Sequence, residues 1–598
     1  MTLKILEIVK KWGEQGQPLH RVYRKLCDRE LFLAAYGKLY ANRGATTAGT
    51  DLTDTVDAMS LARIDKIIEQ LKTGNYLWKP VRRTYVKKRS GGQRALGLPG
   101  WNDKLVQEVI RMILEAYYEP RFSKYSYGFR PGRGCHTALL DIHRHWNGTK
   151  WFIEGDIEGC FDNIDHKHIL ELLERDMPDS RFLNLIQAML EVGYMEDWQY
   201  HQSYSGVPQG GVISPILSNI VLNELDRYVE TVLIPAYTRG KQRRKNPAYA
   251  ANMEARAEAW AVNDDKRYRT LTQQMRQLPS VDPNDENYRR LRYCRYADDF
   301  ILGFAGPKGE AEVIKEEIAK FLQSLKLTLS PKKTLITHAA TQRAHFLGYE
   351  LATCRSNTKL TQDRDNPRKR RAVNGIVQLY VPRQTSQTWV NRYKRNGKTR
   401  SRFELENCSD YEIVMAYHVE FQGLANYYLL AGDVAKRLYP VRYAYLESLV
   451  KTLAHKHKQK PAWVYRHYKT HFETGMTGIE VKVPREKPQK PLIARFGAIP
   501  IRRDKTTIIH DEQPITNYSG SELIRRLLAK ECEICGSHEN IEVHHIRKLA
   551  DIKRRYQGRN APPPWAAFMM TRRRKTIVVC RSCHQDITYG RYDGPKLI

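Results

Sequence analysis

The sequence predicts an α+β protein of several domains that ends in a small zinc-binding module, and three observations predict it. Two apolar strands meet acids: Trp151–Asp156 runs into one, and the segment Arg292–Leu302 carries Tyr296-Ala297-Asp298-Asp299 between two apolar runs. Amphipathic helices surround these strands, as in Met59–Leu71, where Leu61, Ile64, Ile67, Ile68 and Leu71 share one face. Near the C-terminus, Cys532/Cys535 and Cys580/Cys583 form two Cys-x-x-Cys pairs, the spacing of a structural tetrahedral Zn²⁺ site, with a disulfide pair the weaker alternative. A chain of 598 residues holds roughly three or four domains.

The acids carry the chemistry. Tyr296–Asp299 reads as a tight turn between two strands, with Asp298 and Asp299 at its tip. Adjacent carboxylates repel unless a cation, solvent or a proton compensates them. Mg²⁺ suits them, since it takes oxygen ligands from one or two carboxylates plus substrate phosphates. Alone, the pair reads equally as a solvated acidic turn. Asp156 changes the balance: if its strand lies beside the hairpin, Asp156, Asp298 and Asp299 converge on one edge. That edge suits two metal ions and in-line phosphoryl transfer. Between them lies Gly206-Val207-Pro208-Gln209-Gly210-Gly211, whose glycines permit close backbone approach and whose Gln209 can contact a base or sugar edge.

The remaining elements follow in order. Residues 1–40 are helical in pattern, Val81–Leu98 is a hairpin across Arg89–Gly92, and Lys104–Tyr118 is a helix. Asp165 is placed to cap the helix carrying Ile169, Leu170, Leu172 and Leu173. Residues 239–290 form a highly charged helical excursion and 355–402 a basic region. In Tyr411–Lys460, Tyr443, Leu446, Val450 and Leu453 share a face. Lys451, Lys456, Lys458 and Lys460 crowd the last turns before Pro461 stops the helix. Residues 474–520, rich in Pro, Lys and Arg, read as a linker.

Charge narrows the partners. The 99 Lys+Arg against 66 Asp+Glu give +33, an excess that points to a polyphosphate backbone. No apolar run approaches the ~20 residues needed to span a bilayer, so no membrane partner is expected. The other six cysteines are scattered singly, as in a reducing compartment such as the bacterial cytoplasm or an organelle interior.

In order along the chain, several blocks resemble the group II intron-encoded reverse transcriptase/maturase family. They are Ala41–Asp51, Gln93–Pro99, Tyr127–Arg133, the strand ending at Asp156, Gly206–Pro215, Tyr296–Asp299, Leu329–Thr334 and His345–Tyr349. The resemblance implies a right-hand polymerase with fingers (1–140), a palm (141–360), a helical thumb or maturase domain (361–473), a basic linker or DNA-binding stretch (474–525) and an HNH-like ββα-metal module (526–598). It implies Asp156 and Asp298 as principal Mg²⁺ ligands with Asp299 the third acid. Phe161 matches the aromatic that excludes a 2′-hydroxyl, Arg94 and Gln209 match nucleotide contacts, and Lys333 a lysine near the triphosphate. Taken singly, Phe161 also reads as core, Arg94 as a surface ion pair, and Lys333 as a solvated basic turn. The implied partners are group II intron RNA, an RNA template with DNA primer, deoxynucleoside triphosphates and a duplex DNA target.

The tail resembles the HNH endonucleases through Glu542-Val543-His544-His545 and Cys580–His584. This implies a divalent metal on His544 and His584, with His545 as general base. Two departures stand out. A further histidine is expected where the chain has Thr588, and an asparagine near Thr576. The expectation is a zinc-held fold with weakened cleavage. Two other readings fit the same scaffold: a non-catalytic RNA-binding splicing factor, and a related polymerase recruited to host defence.

Overall fold

The computed structural model describes residues 4–42, 44–87, 91–197, 199–203, 205–206, 210–356, 360–363, 366–371, 374–473, 475–485, 490–506, 521–545, 575–589 and 591. Its central sheet is four-stranded and antiparallel, in the order Arg290–Tyr296, Asp299–Ala305, Trp151–Asp156, Ile336–His338. Strand periodicity explains why these segments are so apolar. Phe152, Cys294 and Ile301 enter one core, while Ile153, Tyr293, Phe300, Leu302 and Phe304 enter the other. A sheet covered on both faces needs apolar side chains at successive positions, not at alternate ones.

The first core gathers the N-terminal helices Lys4–Glu14, Arg29–Leu39, Leu61–Thr73 and Trp101–Tyr118. Trp101–Tyr118 is buried around most of its circumference, so it is the post on which the others pack. It starts at Trp101, ahead of the expected Lys104. The Met59–Leu71 expectation is also corrected at its start. Ser60 accepts from the Arg63 amide as N-cap, so the helix runs Leu61–Thr73 and Met59 is left in extended backbone. The Val81–Lys87/Gln93–Leu98 hairpin forms as expected and extends to a four-stranded sheet with Tyr194–Glu196 and Gln199–His201. Asp165 caps His166–Asp176 by accepting from the His168 amide. In the charged excursion, the paired helices Pro247–Ala261 and Asp265–Gln277 bury only Ala259 and Met275.

The second core holds the helices Asp410–Tyr428 and Val434–Lys456 together with a three-stranded sheet, Lys469–His471, Thr477–Val483 and Leu492–Phe496. The linker reading of 474–520 is therefore corrected where strands form, over Thr477–Val483 and Leu492–Phe496, while 507–520 lie outside the described residues. Ile479, Val481, Ala494 and Phe496 bury one face of that sheet, and Phe496 stacks on Tyr445 at 6.3 Å. The basic composition belongs to the other face, where Lys482 and Arg495 both pair with Glu480.

On Val434–Lys456 the expected face holds at Val450 and Leu453, which are buried, and at Leu446, which packs against the core, but not at Tyr443. Leu438, Val441, Tyr445, Leu449 and Leu453 are buried, whereas Tyr443 is 62 % exposed and its hydroxyl donates to Glu447 at 2.8 Å. Two of the four lysines serve the fold: Lys451 donates to the Thr399 carbonyl and Lys456 to Asp410 and the Cys408 carbonyl. Lys458 and Lys460 remain exposed. Pro461 does not stop this helix, which ends at Lys456; it opens the next one, Pro461–Tyr468, at its first turn, where proline's missing N–H costs nothing.

Candidate active sites

The sheet places the acids. Asp156 ends its strand, Asp299 begins the neighbouring one, and the two are register partners. Tyr296 pairs with Asp299, leaving Ala297-Asp298 as a two-residue turn. Ala297 has φ +56°, a conformation unfavourable for a residue with a Cβ, so the turn needs outside support. Arg295 supplies it. Wholly buried, its guanidinium donates to the Ala297 carbonyl at 2.8 Å and to Asn219 and Ser126. It also forms a two-pronged pair with Asp226, at 2.7 and 2.6 Å. Asp226 accepts from the Tyr293 hydroxyl as well. From the other side, Tyr125 and Tyr127 bond the Arg295 backbone, and Asn219 holds the Gly128 carbonyl. A Cβ on Gly128 would lie 2.5 Å from the Ala297 nitrogen, so the glycine of the Tyr127–Arg133 block permits the backbone to brace the acidic turn.

Electrostatics mark the tip as crowded with negative charge. Loss of water, then the charges of Asp298 and Asp156 and a hydrogen bond with Asp156, push the Asp299 carboxyl up to about 7. Loss of water and the Asp156 charge also raise Asp298, against the pulls of Arg94 and Lys333. Lys333, on the turn after Leu329, bridges both Asp156 oxygens at 3.0 and 2.9 Å. A divalent ion on this edge would take over the compensation that the ammonium and the proton provide, and the donor set, all carboxylate oxygen, suits Mg²⁺.

A pH dependence follows. Asp299 holds a proton below about 7, and an ion must displace it. Mg²⁺ affinity is expected to rise with pH through that value and to release protons. Calorimetry in two buffers of different ionisation enthalpy measures the release, which Asp299→Asn should sharply reduce. For metal-free protein the same group acts in the opposite sense. Its folded pKa lies above its unfolded one, so its contribution to stability declines as pH climbs from about 4 to 7.

Of the other expected contacts, Phe161 lies five residues past Asp156, half-buried, with its ring edge against Phe129 at 6.4 Å. Arg94 is exposed on the Gln93–Leu98 strand and close enough to bias Asp298. Gln209 lies outside the described residues. Gly206 and Gly210 approach protein backbone: a Cβ there would lie 2.6 Å from the Asp162 carbonyl and 2.7 Å from that of Gly97. The Arg295–Asp226 pair was not anticipated. Its one local signal is an arginine amid the buried run Tyr293–Arg295, which demands a partner that the local sequence does not name.

At the C-terminal end, Ile541–His545 pairs with Thr576–Cys580, and the helix Arg581–Tyr589 follows. The four sulfurs of Cys532, Cys535, Cys580 and Cys583 all lie within 4.8 Å of one another. Cys535 and Cys580 are 3.7 Å apart, near the roughly 3.8 Å that Zn–S bonds of about 2.3 Å impose on a tetrahedron. His544 and His584 also meet, with ring centroids 4.8 Å apart. Asp57, from the N-terminal region, joins them to make a second cluster of metal-ligand type. Burial opposes charge on His584, but Asp57 and Glu542 outweigh it and bring its pKa to about 9. His545 sits apart from this pair. Burial holds its pKa down to about 3, and its Nε2 bonds the Tyr36 hydroxyl at 2.9 Å. Thr588 donates to the His584 carbonyl at 2.9 Å.

Comparison with known proteins adds independent findings. Residues 86–244 and 266–351 match the family described as reverse transcriptase (RNA-dependent DNA polymerase). Residues 377–469 match the type II intron maturases, and 532–584 the AI2M/AI1M-like HNH endonucleases. The chain is 37 % identical over 620 residues to the group II intron-encoded protein LtrA of Lactococcus lactis subsp. cremoris, covering 98 % of this chain and 99 % of that one. It is 30 % identical over 589 residues to the putative COX1/OXI3 intron 1 protein of Saccharomyces cerevisiae, covering 93 % and 67 %. It is 28 % identical over 292 residues to the mitochondrial nuclear intron maturase 2 of Arabidopsis thaliana, covering 42 % and 37 %. The break in the polymerase match, residues 245–265, falls on the charged excursion.

Proposed function

We propose, for a chain that belongs to the group II intron-encoded proteins, that the acidic turn polymerises DNA while the thumb holds intron RNA. The chain is an RNA-directed DNA polymerase with a maturase region. In the proposed mechanism Asp156 and Asp298 hold Mg²⁺ with Asp299 beside them. Bound there, the ions supply the charge that activates a primer 3′-hydroxyl and stabilises leaving pyrophosphate. Phe161 closes the space beside the sugar and favours deoxynucleoside triphosphates. Arg94 and Lys333 offer cations to the triphosphate, and Gln209 a contact to base or sugar. Cys532, Cys535, Cys580 and Cys583 hold structural Zn²⁺. Duplex DNA is the target, with His544, His545 and His584 the candidate cleavage residues and Thr588 a reason for that cleavage to be weak.

The observation that carries this reading is the register pairing of Asp156 with Asp299, which puts three acids on one edge. A protein that only binds RNA has no use for the like-charge repulsion this creates. The test separates the two activities. Asp298→Ala should make no cDNA on an RNA template yet still promote splicing of the intron. Splicing and cDNA synthesis that both survive Asp298→Ala would refute the site.

The exposed lysines give a second handle. Lys458→Glu with Lys460→Glu should weaken intron RNA binding at every sequence. It should lower the slope of log affinity against log salt by about 2, roughly one for each phosphate that is no longer neutralised. An unchanged slope in a filter-binding titration would remove these lysines from the RNA surface.

A further inference from the structure

We propose that Asp57 completes a divalent-cation site with His544 and His584, so that a bound ion latches the C-terminal module onto the N-terminal region. The inference rests on the reading of His544 and His584 as metal ligands and extends it to a residue almost five hundred positions away.

The geometry fits an ion. Asp57 Oδ1 lies 3.5 Å from His544 Nδ1, and Oδ2 lies 3.3 Å from His584 Nε2. Donors bound to one ion at about 2.0–2.2 Å sit roughly 3–3.5 Å apart. The far side of His584 is already arranged, since its Nδ1 bonds Glu542 at 2.7 Å. Such a carboxylate–imidazole contact on Nδ1 turns Nε2 toward Asp57, where it ligates once an ion displaces the proton it shares with that carboxylate. The position where a further histidine was expected offers no imidazole, and the Thr588 hydroxyl donates to the His584 carbonyl. Among the described residues, the module brings two imidazoles to this cluster, and the third donor comes from Asp57. Two imidazoles and a carboxylate favour first-row ions such as Mn²⁺, Co²⁺, Ni²⁺ or Zn²⁺ over Mg²⁺.

The surroundings make the site a latch. The Asp57–Met59 segment lies along the module's Ile541–His545 strand as an added edge. Met59 and Val543 form an antiparallel bridge, and the His545 amide donates to Asp57 at 2.8 Å. Behind it, Leu523, Ile524, Leu527 and Val578 join the core built on the N-terminal helices. Strand periodicity turns His545 away from His544, into the Tyr36 hydroxyl and against the Tyr36 and Tyr40 rings. Docked this way, His545 is buried against the N-terminal region among the described residues. Cutting requires the module to leave, and the ion opposes that.

The experiment uses the zinc-loaded full chain carrying Asp298→Ala and Asp299→Ala, which empties the polymerase edge as a competitor. Ni²⁺ is titrated by calorimetry, and hydrogen exchange is followed over the segments containing Tyr36, Asp57–Met59 and Ile541–His545. The expected result is a site whose affinity drops at least about tenfold in Asp57→Asn and in His584→Ala and returns in Asp57→Glu. Ni²⁺-dependent protection of those segments should be lost and regained in parallel. Zinc content of the four cysteines, equal in all variants, shows that the module stays folded. Unchanged Ni²⁺ binding in Asp57→Asn overturns the inference; if His584→Ala still lowers affinity, the histidine reading survives without Asp57. Binding unchanged in both variants overturns the two together.

Discussion

Asp298→Asn should reduce primer extension on an RNA template by on the order of 10³-fold or more. A metal-bound carboxylate supplies several kcal/mol of transition-state charge stabilisation, and about 1.4 kcal/mol is a factor of ten in rate. Asparagine keeps the shape and one acceptor oxygen but removes the charge that holds the ion. The same change should leave metal-free stability equal or slightly higher. Asp298 adds to the repulsion that raises Asp299, and neutralising one of three crowded carboxylates relieves it. Thermal melts in chelator, run beside steady-state extension, distinguish this from unfolding. A variant that loses activity and melts early would mean that Asp298 holds the turn and not the ion. Asp156→Asn should behave alike in rate, with Lys333 then losing its partner.

Asp226→Ala should cost about 3–5 kcal/mol, the range for breaking a buried ion pair by removing one partner. Arg295 and Asp226 are both wholly buried at 2.6 Å, so the truncation leaves a guanidinium with no water and no anion. Tyr293 loses an acceptor at the same time. The urea midpoint should fall, and hydrogen-exchange protection should drop first over Arg290–Ala305. Replacing both partners with apolar residues, Asp226→Leu with Arg295→Met, should recover much of the stability. It should not recover polymerase activity, because Arg295 also braces the Ala297 carbonyl at the acidic turn. Full recovery of both would show that the turn stands without its arginine.

Some of this was readable from short windows. An apolar strand that runs into an acid, an Asp-Asp turn between two apolar runs and two Cys-x-x-Cys pairs are local patterns, and the structure brings each set together. Helix faces were less secure. Tyr443 fits an apolar stripe by spacing yet lies outside, since Tyr445 fills the space against Phe496. Composition misled over 477–496, where charged residues on the outer face of a small sheet read as a linker. Alternation over Ile479, Glu480 and Val481 was the signal that outweighs it.

By itself, then, the chain's sequence determined where the acids end their strands and where the cysteines pair, because strand ends, turns and paired cysteines are set by neighbours a few positions apart. Tertiary structure alone decided that Arg295 is neutralised by Asp226, that Gly128 braces Ala297, and that Asp57 meets His544 and His584. Those partners are separated by tens to hundreds of residues. What selects them is the cost of burying charge and polar backbone without a partner, a cost that arises only when distant segments exclude water from one another.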